Sequence, residues 1–255
     1  MTIPRKTNQL KTAFQYFFPE VGAGGYTHVD GTIEFFSRVN ALIDKDMVIL
    51  DFGAGRGRAL SEDSCEYRRT LRSFKGKVLR IVGIDVDHAV LEHPELDESH
   101  VLAIDEPLPF PDASFDLIVS DYVFEHVDNP EFVSSELSRV LKPGGWLCAR
   151  TPNKNGYVGL AARLVPNKFH SKIVKKVQNN AREAKDVFPT RYKLNSMRSI
   201  NQYFNQAEWV NYTYSIDAEP AYFGNSKILW FVMIALFKIM PKHFDTVLLI
   251  FMQKR

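Results

Sequence analysis

The sequence predicts an α/β fold, in which a mostly parallel sheet has helices on both faces. Short apolar runs that end near a carboxylate alternate with polar, helix-like stretches between residues 47 and 149. Such runs are typical of parallel strands, because both faces of a parallel sheet are buried. The composition agrees, since 45% of the 255 residues are hydrophobic and 24% are charged, as in ordinary globular domains.

The first elements flank a glycine-rich turn. A helix is expected at residues 33–42, and the apolar run 47–51 predicts a buried strand that ends at Asp51. The stretch 58–64 is polar and poorly periodic, so the next helix is expected to start only near Asp63.

Four more strands are expected before residue 150. Apolar runs predict them at residues 78–84, 101–104, 115–120 and 146–149. Asn129 followed by Pro130 predicts a helix start, because a capping side chain and a proline in the first turn both favour it. Ligands of such sheets bind beyond the carboxyl ends of the strands, so the acidic residues there predict a site: Asp51, Asp85, Asp105 and Asp121.

The turn after the first strand contains Gly53, Gly55 and Gly57. A dinucleotide motif needs a glycine where this chain has Arg58, and the charge of Asp51 would repel a pyrophosphate. Both facts disfavour a nucleotide-dependent reductase. A ligand with an amino group and a sulfonium cation suits Asp51 better, and S-adenosylmethionine carries both. A tight turn without any ligand is the alternative interpretation.

Longer motifs connect these elements. The chain has VILDFGAGRG at 48–57, VGIDVD at 82–87 and LPFPDASFDLIVS at 108–120, followed by EHV at 125–127 and RVLKPGG at 139–145. In this order they resemble the class I S-adenosylmethionine-dependent methyltransferases. The similarity is greatest to the broad small-molecule and glycan subgroup with Leu-Pro-Phe and Leu-Lys-Pro-Gly-Gly motifs.

The resemblance implies a Rossmann-like seven-stranded, mostly parallel sheet and S-adenosylmethionine as cofactor. Residues 208–216 and 246–252 would form the closing hairpin pair of this sheet. A helix at 194–207, capped by Asn195 or Ser196, would precede that pair.

The same resemblance implies a role for each residue near the strand ends. The loop of Gly53, Gly55 and Gly57 would pass under the methionine part of the cofactor, where Asp51 would hold the amino group through water. Asp85 would accept hydrogen bonds from both ribose hydroxyls. The adenine would contact Val86, Asp105 and Glu106, and the pocket floor would be lined by Asp121 and Tyr122.

Methyl transfer needs mainly alignment of the reacting groups, and a base only when the nucleophile is weak. His126 is the candidate catalytic base, because it follows the fourth strand and can titrate near neutral pH. A structural pair of Glu125 and His126 is an equal alternative, and Tyr26 and His28 form a second candidate group. No metal site is expected from the spacing of the histidines, and the two cysteines are expected to fill the core.

The chain is expected to be one domain, residues 1–255, with its core at about 30–151 and 194–255. A basic cap insertion is expected at about 152–193. Ten basic and two acidic residues lie between Arg163 and Arg198, and this asymmetry favours an anionic partner.

A second, apolar insertion is expected at about 218–243. Its apolar run at 228–237 is too short to span a membrane. Burial in a core or in a dimer interface is the favoured interpretation of this run, and contact with a membrane surface is the sharper hypothesis.

Together these observations predict a methyltransferase that acts on an oxygen or nitrogen of a small-molecule, glycan or lipid-linked acceptor. A cytoplasmic protein is expected, with peripheral contact at the inner membrane face as an option. The net charge of +2 gives no indication of nucleic acid binding. The alternative is a non-catalytic cofactor-binding partner protein in a surface-polysaccharide or lipid pathway.

Overall fold

One sheet organises the described residues, which are 12–157, 189–219 and 224–255 of this computed structural model. Within them the sheet has eight strands: β1 (Val48–Phe52), β2 (Arg80–Asp85), β3 (Glu98–Val101), β4 (Phe115–Asp121), β5 (Leu141–Pro152), β6 (Trp209–Asn211), β7 (Tyr214–Ile216) and β8 (Val247–Lys254). They lie in the order β3-β2-β1-β4-β5-β8-β6, and β7 also pairs with β8. The first five are parallel, and the pairs that include β8 are antiparallel.

The helices of the described residues are α1 (Ala13–Phe17), α2 (Gly31–Leu42), α3 (Arg58–Glu62), α4 (Glu66–Arg72), α5 (Pro130–Val140), α6 (Met197–Tyr203) and α7 (Lys227–Ile239). Short 3-10 turns cover Pro19–Gly22, His88–Glu92 and Lys242–Phe244. The Asp30 side chain caps α2 by accepting hydrogen bonds from the Thr32 and Ile33 amides. Asn129 caps α5 in the same way, so the predicted start of this helix is confirmed.

Two apolar clusters cover the two faces of the sheet. Leu50 packs with α5 and α6 on one face, and its neighbour Ile49 packs with α2 on the other, because successive strand residues point to opposite faces. The prediction of a mostly parallel sheet with helices on both faces is therefore confirmed. Cys65 and Cys148 are buried free cysteines, as expected.

The count of seven strands was too low for this sheet. The last position is shared by β6 and β7, which pair with opposite ends of β8. Between them the amide of Tyr212 still donates to the Phe251 carbonyl at 2.8 Å. The closing antiparallel pair is present where it was expected, but its outer member is divided.

Three expected elements have different bounds. The prediction of a strand at 101–104 is wrong. The strand β3 pairs with β2 through residues 98–101, and Ile104 is 71% exposed. The helix expected near Asp63 begins at Arg58, directly after the glycine loop, and is interrupted between α3 and α4. The helix expected at 194–207 is the shorter α6, with Ser196 as its cap.

The two predicted insertions are described only in part. Residues 158–188, which include most of the basic cap, lie outside the described residues, as do 220–223. The division of the chain into a core and two insertions therefore stays a prediction. The prediction that the apolar insertion is buried in the core of the chain is wrong, because Trp230 is the one buried residue of α7.

Candidate functional site

Three of the four predicted carboxylates lie at the carboxyl ends of neighbouring strands. Asp85 and Asp121 are the last residues of β2 and β4, and Asp51 is the second-last residue of β1. Asp51 and Asp121 line a cavity of about 190 Å³, and Asp85 lines a wider groove of about 770 Å³. The glycine loop lies between the two spaces, because Gly53 and Gly57 border the cavity and Gly55 borders the groove.

The loop glycines serve two different purposes. Gly53 has a φ of +82°, and a Cβ there would lie 2.2 Å from Val123 Cγ2, so close packing excludes any side chain. Gly55 has a φ of +55°, and a Cβ there would have only Asp85 Oδ2 as a neighbour, at 4.0 Å. The missing side chain at Gly55 therefore leaves open space that faces a carboxylate.

Asp85 is held by backbone amides on both sides. Its Oδ2 accepts from Gly55 N and its Oδ1 accepts from Asp87 N, each at 2.8 Å. Burial raises the pKa of Asp85, while these two hydrogen bonds oppose the rise. Each carboxylate oxygen has a second lone pair, so Asp85 can accept two further hydrogen bonds from a ligand in the groove. Val86, the next residue, is partly exposed beside it.

Asp51 is the carboxylate whose ionised form is least stabilised by its surroundings. Burial raises its pKa to about 7, and the negative charges of Asp121 and Asp85 add to the rise. The guanidinium of Arg72 opposes it only partly. A cationic group bound here would favour the ionised form of Asp51.

Asp121 forms an ion-pair cluster that the sequence interpretation missed. Arg150, whose side chain is 2% exposed, donates from Nε and Nη2 to the two Asp121 oxygens at 2.6 and 2.8 Å. Arg72 Nη1 donates to the same carboxylate at 2.8 Å. Burial alone would raise the pKa of Asp121, but the two guanidinium groups hold it below its ordinary value.

Both arginines also contact Thr32 near the start of α2. Arg150 Nη1 donates to Thr32 Oγ1 at 2.9 Å, and Arg72 Nη2 does so at 3.4 Å. The buried Arg72 Nε has no hydrogen-bond partner among the described groups, although Arg72 lines the cavity. One sequence signal pointed to this cluster: Arg150 directly follows the apolar run 146–149, at the end of a strand next to that of Asp121.

The groove has a second ion-pair cluster, which was also not predicted from the sequence. Arg68 donates to Asp30 at 2.8 Å and to Asp63 at 2.6 Å, and all three residues line the groove. Glu219 lines it as well and accepts from the Thr27 hydroxyl at 2.6 Å. This wall therefore joins the start of α2 to the segment that leads toward α7.

The expectation that Asp105 ends a strand is wrong. The strand β3 stops at Val101, and Asp105 lies four positions further in a turn with a φ of +62°. Asp105 and Glu106 are exposed, and neither lines the cavity or the groove. Their predicted contact with adenine stays a prediction.

His126 lies in the loop between β4 and α5. Its Nδ1 is 3.0 Å from the Pro189 carbonyl, and its Nε2 is 4.0 Å from Glu125 Oε1. The neighbouring backbone is anchored too, because the amides of Arg191 and Tyr192 donate to the Glu125 carbonyl. The loop is thus firmly held, but His126 borders neither the cavity nor the groove.

The remaining candidates lie apart from these two spaces. The ring of Tyr26 is 5.6 Å from that of Tyr67, and His28 Nδ1 is 2.7 Å from Glu20. Tyr122 has a φ of +60°, and the Arg150 guanidinium lies 4.6 Å from its ring centre. Tyr122 therefore packs on the ion-pair cluster rather than on the groove.

Residues 12–157, 189–219 and 224–255 contain no group of three or more histidine, cysteine and acidic side chains placed to bind a metal ion. In the same ranges, none of the helices has both the length and the apolar character that crossing a bilayer requires.

Parts of this chain are similar in sequence to known proteins. Residues 50–149 match the methyltransferase domain family. A protein of Mycolicibacterium smegmatis, described as an S-adenosylmethionine-dependent methyltransferase, is 42% identical over 81 residues, which are 29% of this chain and 30% of the relative. The ubiquinone biosynthesis O-methyltransferase of Hydrogenovibrio crunogenus is 26% identical over 60% of this chain and 62% of its own length.

One solved structure supports the fold. A methyltransferase of Haloferax volcanii, in complex with the Trm112 methyltransferase activator, has a TM-score of 0.52 at 20% identity. The alignment covers 88% of this chain and 89% of that chain. The chain spans 30% or less of the length of the first curated relatives that it matches.

Residues 50–149, which match the methyltransferase domain family, form part of this sheet and include the glycine loop. The expected enzyme class and the expected cofactor, S-adenosylmethionine, agree with this match and with the S-adenosylmethionine-dependent relative. The acceptor is a separate question, because these relatives match only part of the chain.

Proposed function

We propose that this protein transfers the methyl group of S-adenosylmethionine to an oxygen or nitrogen of a small-molecule, glycan or lipid-linked acceptor. The observation that supports it most is the pair formed by Gly55 and Asp85. The amide of Gly55 orients the carboxylate, and the absence of a side chain at Gly55 leaves room for a ligand beside it. The residues present therefore fit this cofactor.

Each part of the cofactor has a proposed partner in the chain. Asp85 accepts from the two ribose hydroxyls through its remaining lone pairs, and Val86 packs on the adenine. Asp51 holds the amino group, with which an ionised carboxylate pairs well. Asp105 and Glu106 face the adenine amino group from their exposed turn. When bound, the cofactor supplies a methyl group that is already activated for displacement.

The chain itself has to bind the cofactor and the acceptor, orient them, and deprotonate a hydroxyl acceptor. We propose His126 as the base for a hydroxyl acceptor. A proton on Nδ1 would be donated to the Pro189 carbonyl, so this hydrogen bond favours the tautomer whose lone pair is on Nε2. A neutral amine acceptor would need no such base.

The lipid-linked option has one independent support. One relative reported above, which this chain covers to 62% of its own length, is an O-methyltransferase named for ubiquinone biosynthesis. For this chain we extend that only to the chemistry, a hydroxyl group on a hydrophobic acceptor.

Calorimetric titration with S-adenosylmethionine tests the cofactor site. Asp85→Ala should weaken binding roughly 10²–10⁴-fold, because two charge-assisted hydrogen bonds of about 1.5–3 kcal/mol each are lost. Asp46→Ala is the matched control, because Asp46 is exposed just before β1, at the end of the strand that lies away from Asp85. This variant should leave the affinity unchanged. Asp85→Asn separates charge from structure, because it keeps one acceptor oxygen for the loop amide.

Two results would contradict the proposal. One is a folded protein with no saturable binding at millimolar cofactor, and the other is an Asp85→Ala variant that binds like the wild type. Formation of S-adenosylhomocysteine with hydroxyl and amine acceptors then separates an enzyme from a non-catalytic cofactor-binding protein, which would bind the cofactor and form none.

A further inference from the structure

The helix α7 exposes an apolar face to solvent. Ile228, Phe231 and Ile239 are 79%, 66% and 77% exposed, and Leu229, Val232 and Leu236 are also exposed. Monomeric soluble proteins rarely leave so many large apolar side chains together on one helix face. The face is therefore expected to meet another apolar phase.

The opposite face of α7 is firmly attached to the chain. Trp230 is buried and contacts the rings of Phe14, Phe17 and Phe18, with centroid distances of 5.9, 6.3 and 6.1 Å. Its Nε1 donates to the Gly224 carbonyl at 3.0 Å. The exposed face is thus presented by a helix that is fixed through its other side.

The charged residues within the segment 220–244 have a single sign. From residue 220 to residue 244 the sequence contains Lys227, Lys238 and Lys242 but no acidic residue. Lys227 and Lys238 lie about three turns apart and so on the same side of the helix, along one border of the apolar face. The Nζ of Lys227 is 4.6 Å from the ring centre of Tyr16, which is itself exposed.

We infer that α7 lies in the surface of an anionic lipid bilayer. The apolar face would enter the boundary of the acyl chains, and the lysines would contact headgroup phosphates. With 13 residues the helix is too short to cross, since a span needs about 20. A contact between the α7 helices of two copies fits this face less well, because residues 220–244 offer no carboxylate to pair with the lysines.

The bilayer contact does not require methyl transfer. Combined with the proposed function, it would favour the lipid-linked class among the three acceptor classes. The test below measures binding without turnover, so the two proposals can fail separately.

Vesicle flotation on a density gradient tests the inference, because bound protein floats while aggregated protein sinks. The full chain is mixed with vesicles of phosphatidylcholine alone or of equimolar phosphatidylcholine and phosphatidylglycerol. We expect it to float with the anionic vesicles and to dissociate at high salt, with a preference of roughly fivefold for each contacting lysine. Replacing all three lysines by glutamine should remove this preference.

The apolar contribution is tested with a matched pair of variants. Phe231→Glu should strongly reduce flotation, and Leu79→Glu should leave it unchanged, because both side chains are 66% exposed but Leu79 lies just before β2. The triple variant Ile228→Glu, Phe231→Glu, Ile239→Glu should stay at the bottom. Its thermal unfolding should match the wild type, since all three residues are exposed.

Three outcomes would overturn the inference. The wild type could stay at the bottom with both vesicle types, or float equally well with neutral and anionic vesicles. The triple variant could float like the wild type. A dimer in light scattering that the triple variant dissociates, together with no flotation, would instead assign the face to contact between two copies.

Discussion

Asp51 and Asp121 end adjacent parallel strands and border the same cavity, yet their surroundings are opposite. Asp121 is paired with Arg150 and Arg72, which keep its pKa low although it is buried. Asp51 lies between two other carboxylates, and burial raises its pKa to about 7. One half of the site, around β4 and β5, therefore has its charges balanced within the chain. The other half, around β1 and β2, has an acidic excess that a cationic ligand can balance.

The comparison shows that a strand-end carboxylate is not a ligand site merely because of its position. Asp121 is neutralised by its own chain, and its two arginine partners connect it to Thr32 at the start of α2. Its predicted place at the floor of the cofactor pocket stays a prediction. Asp51 and Asp85 keep binding capacity, since the loop beside them consists of glycines and backbone amides. The four predictions below test this division, from the largest expected effect to the smallest.

The balanced half should be the one that the fold depends on. Arg150→Met leaves Asp121 buried with only Arg72 as a partner, and should lower the free energy of unfolding by about 3 kcal/mol. Arg38→Met is the control, because the Arg38–Glu34 pair is largely exposed and should contribute less than about 1 kcal/mol. Urea unfolding at pH 7 measures both. Equal losses in the two variants would contradict the assignment.

His126 tests whether the balanced half also contributes to chemistry. His126→Ala should reduce turnover of a hydroxyl acceptor about 10²-fold and leave cofactor affinity unchanged, because a base acts only in the reaction step. His100→Ala is the control, since His100 lies on the outer strand β3 beside Glu98. Unchanged turnover with a lower melting temperature would show that His126 only anchors its loop to Pro189.

Substitutions in the glycine loop test how tightly the half of the site around β1 and β2 is packed. Gly53 and Gly76 have similar positive φ values of +82° and +76°, so alanine strains the backbone at both. Only at Gly53 does the new methyl group meet another side chain, Val123, whereas Gly76 has nothing within 4 Å. Gly53→Ala should therefore cost about 2 kcal/mol more than Gly76→Ala in urea unfolding.

A second substitution checks the cause of that difference. Adding Val123→Ala to Gly53→Ala removes the clashing methyl groups and should recover much of the loss. If the two glycine variants are equally destabilised, close packing at Gly53 is not what fixes the loop.

The raised pKa of Asp51 predicts a dependence of stability on pH. The folded protein holds a proton on Asp51 up to about pH 7, while the unfolded chain releases it near pH 4. The folded state therefore binds more protons between these values, and stability should fall as pH rises from about 4 to about 7. Asp51→Asn should remove about 1 kcal/mol of the fall between pH 6 and pH 7, as measured by unfolding at both pH values.

Asp217 is the control for this prediction. Burial raises the pKa of Asp217 to about 6, so Asp217→Asn should change the profile only below that pH. A wild type and an Asp51→Asn variant with parallel profiles between pH 6 and pH 7 would show that Asp51 is ionised in the folded protein.

The parts of the structure that sequence alone could predict are those set by local patterns. The strands β1, β2, β4 and β5 are apolar runs with both faces buried, so hydrophobicity locates them. The strand β3 is at the edge of the sheet and reads Glu-Ser-His-Val, whereas the apolar run that follows it ends in Ile104, which is 71% exposed. Hydrophobicity therefore misplaced this strand, and Asp105 with it.

Pairings between distant elements could not be predicted in the same way. Asp51 and Asp85 were found because each directly follows an apolar strand. Arg72 and Thr32 lie on helices, and nothing in their neighbourhood in the sequence specifies that both reach Arg150. Their contact depends on how α2 and α4 pack against the sheet, which a single sequence does not encode as a pattern.

The divided outer strand has a consequence for how the protein behaves at high concentration. An unpaired strand edge can recruit strands from other molecules and start aggregation. Here β6 and β7 have three residues each, and Asn211 Oδ1 accepts the Thr213 amide hydrogen between them. The opposite edge, β3, has four residues and carries Glu98, which contacts both His100 and Arg80. Among the described residues, neither edge offers a long, uncharged row of free amides and carbonyls, so the short and charged edges themselves disfavour edge-to-edge growth.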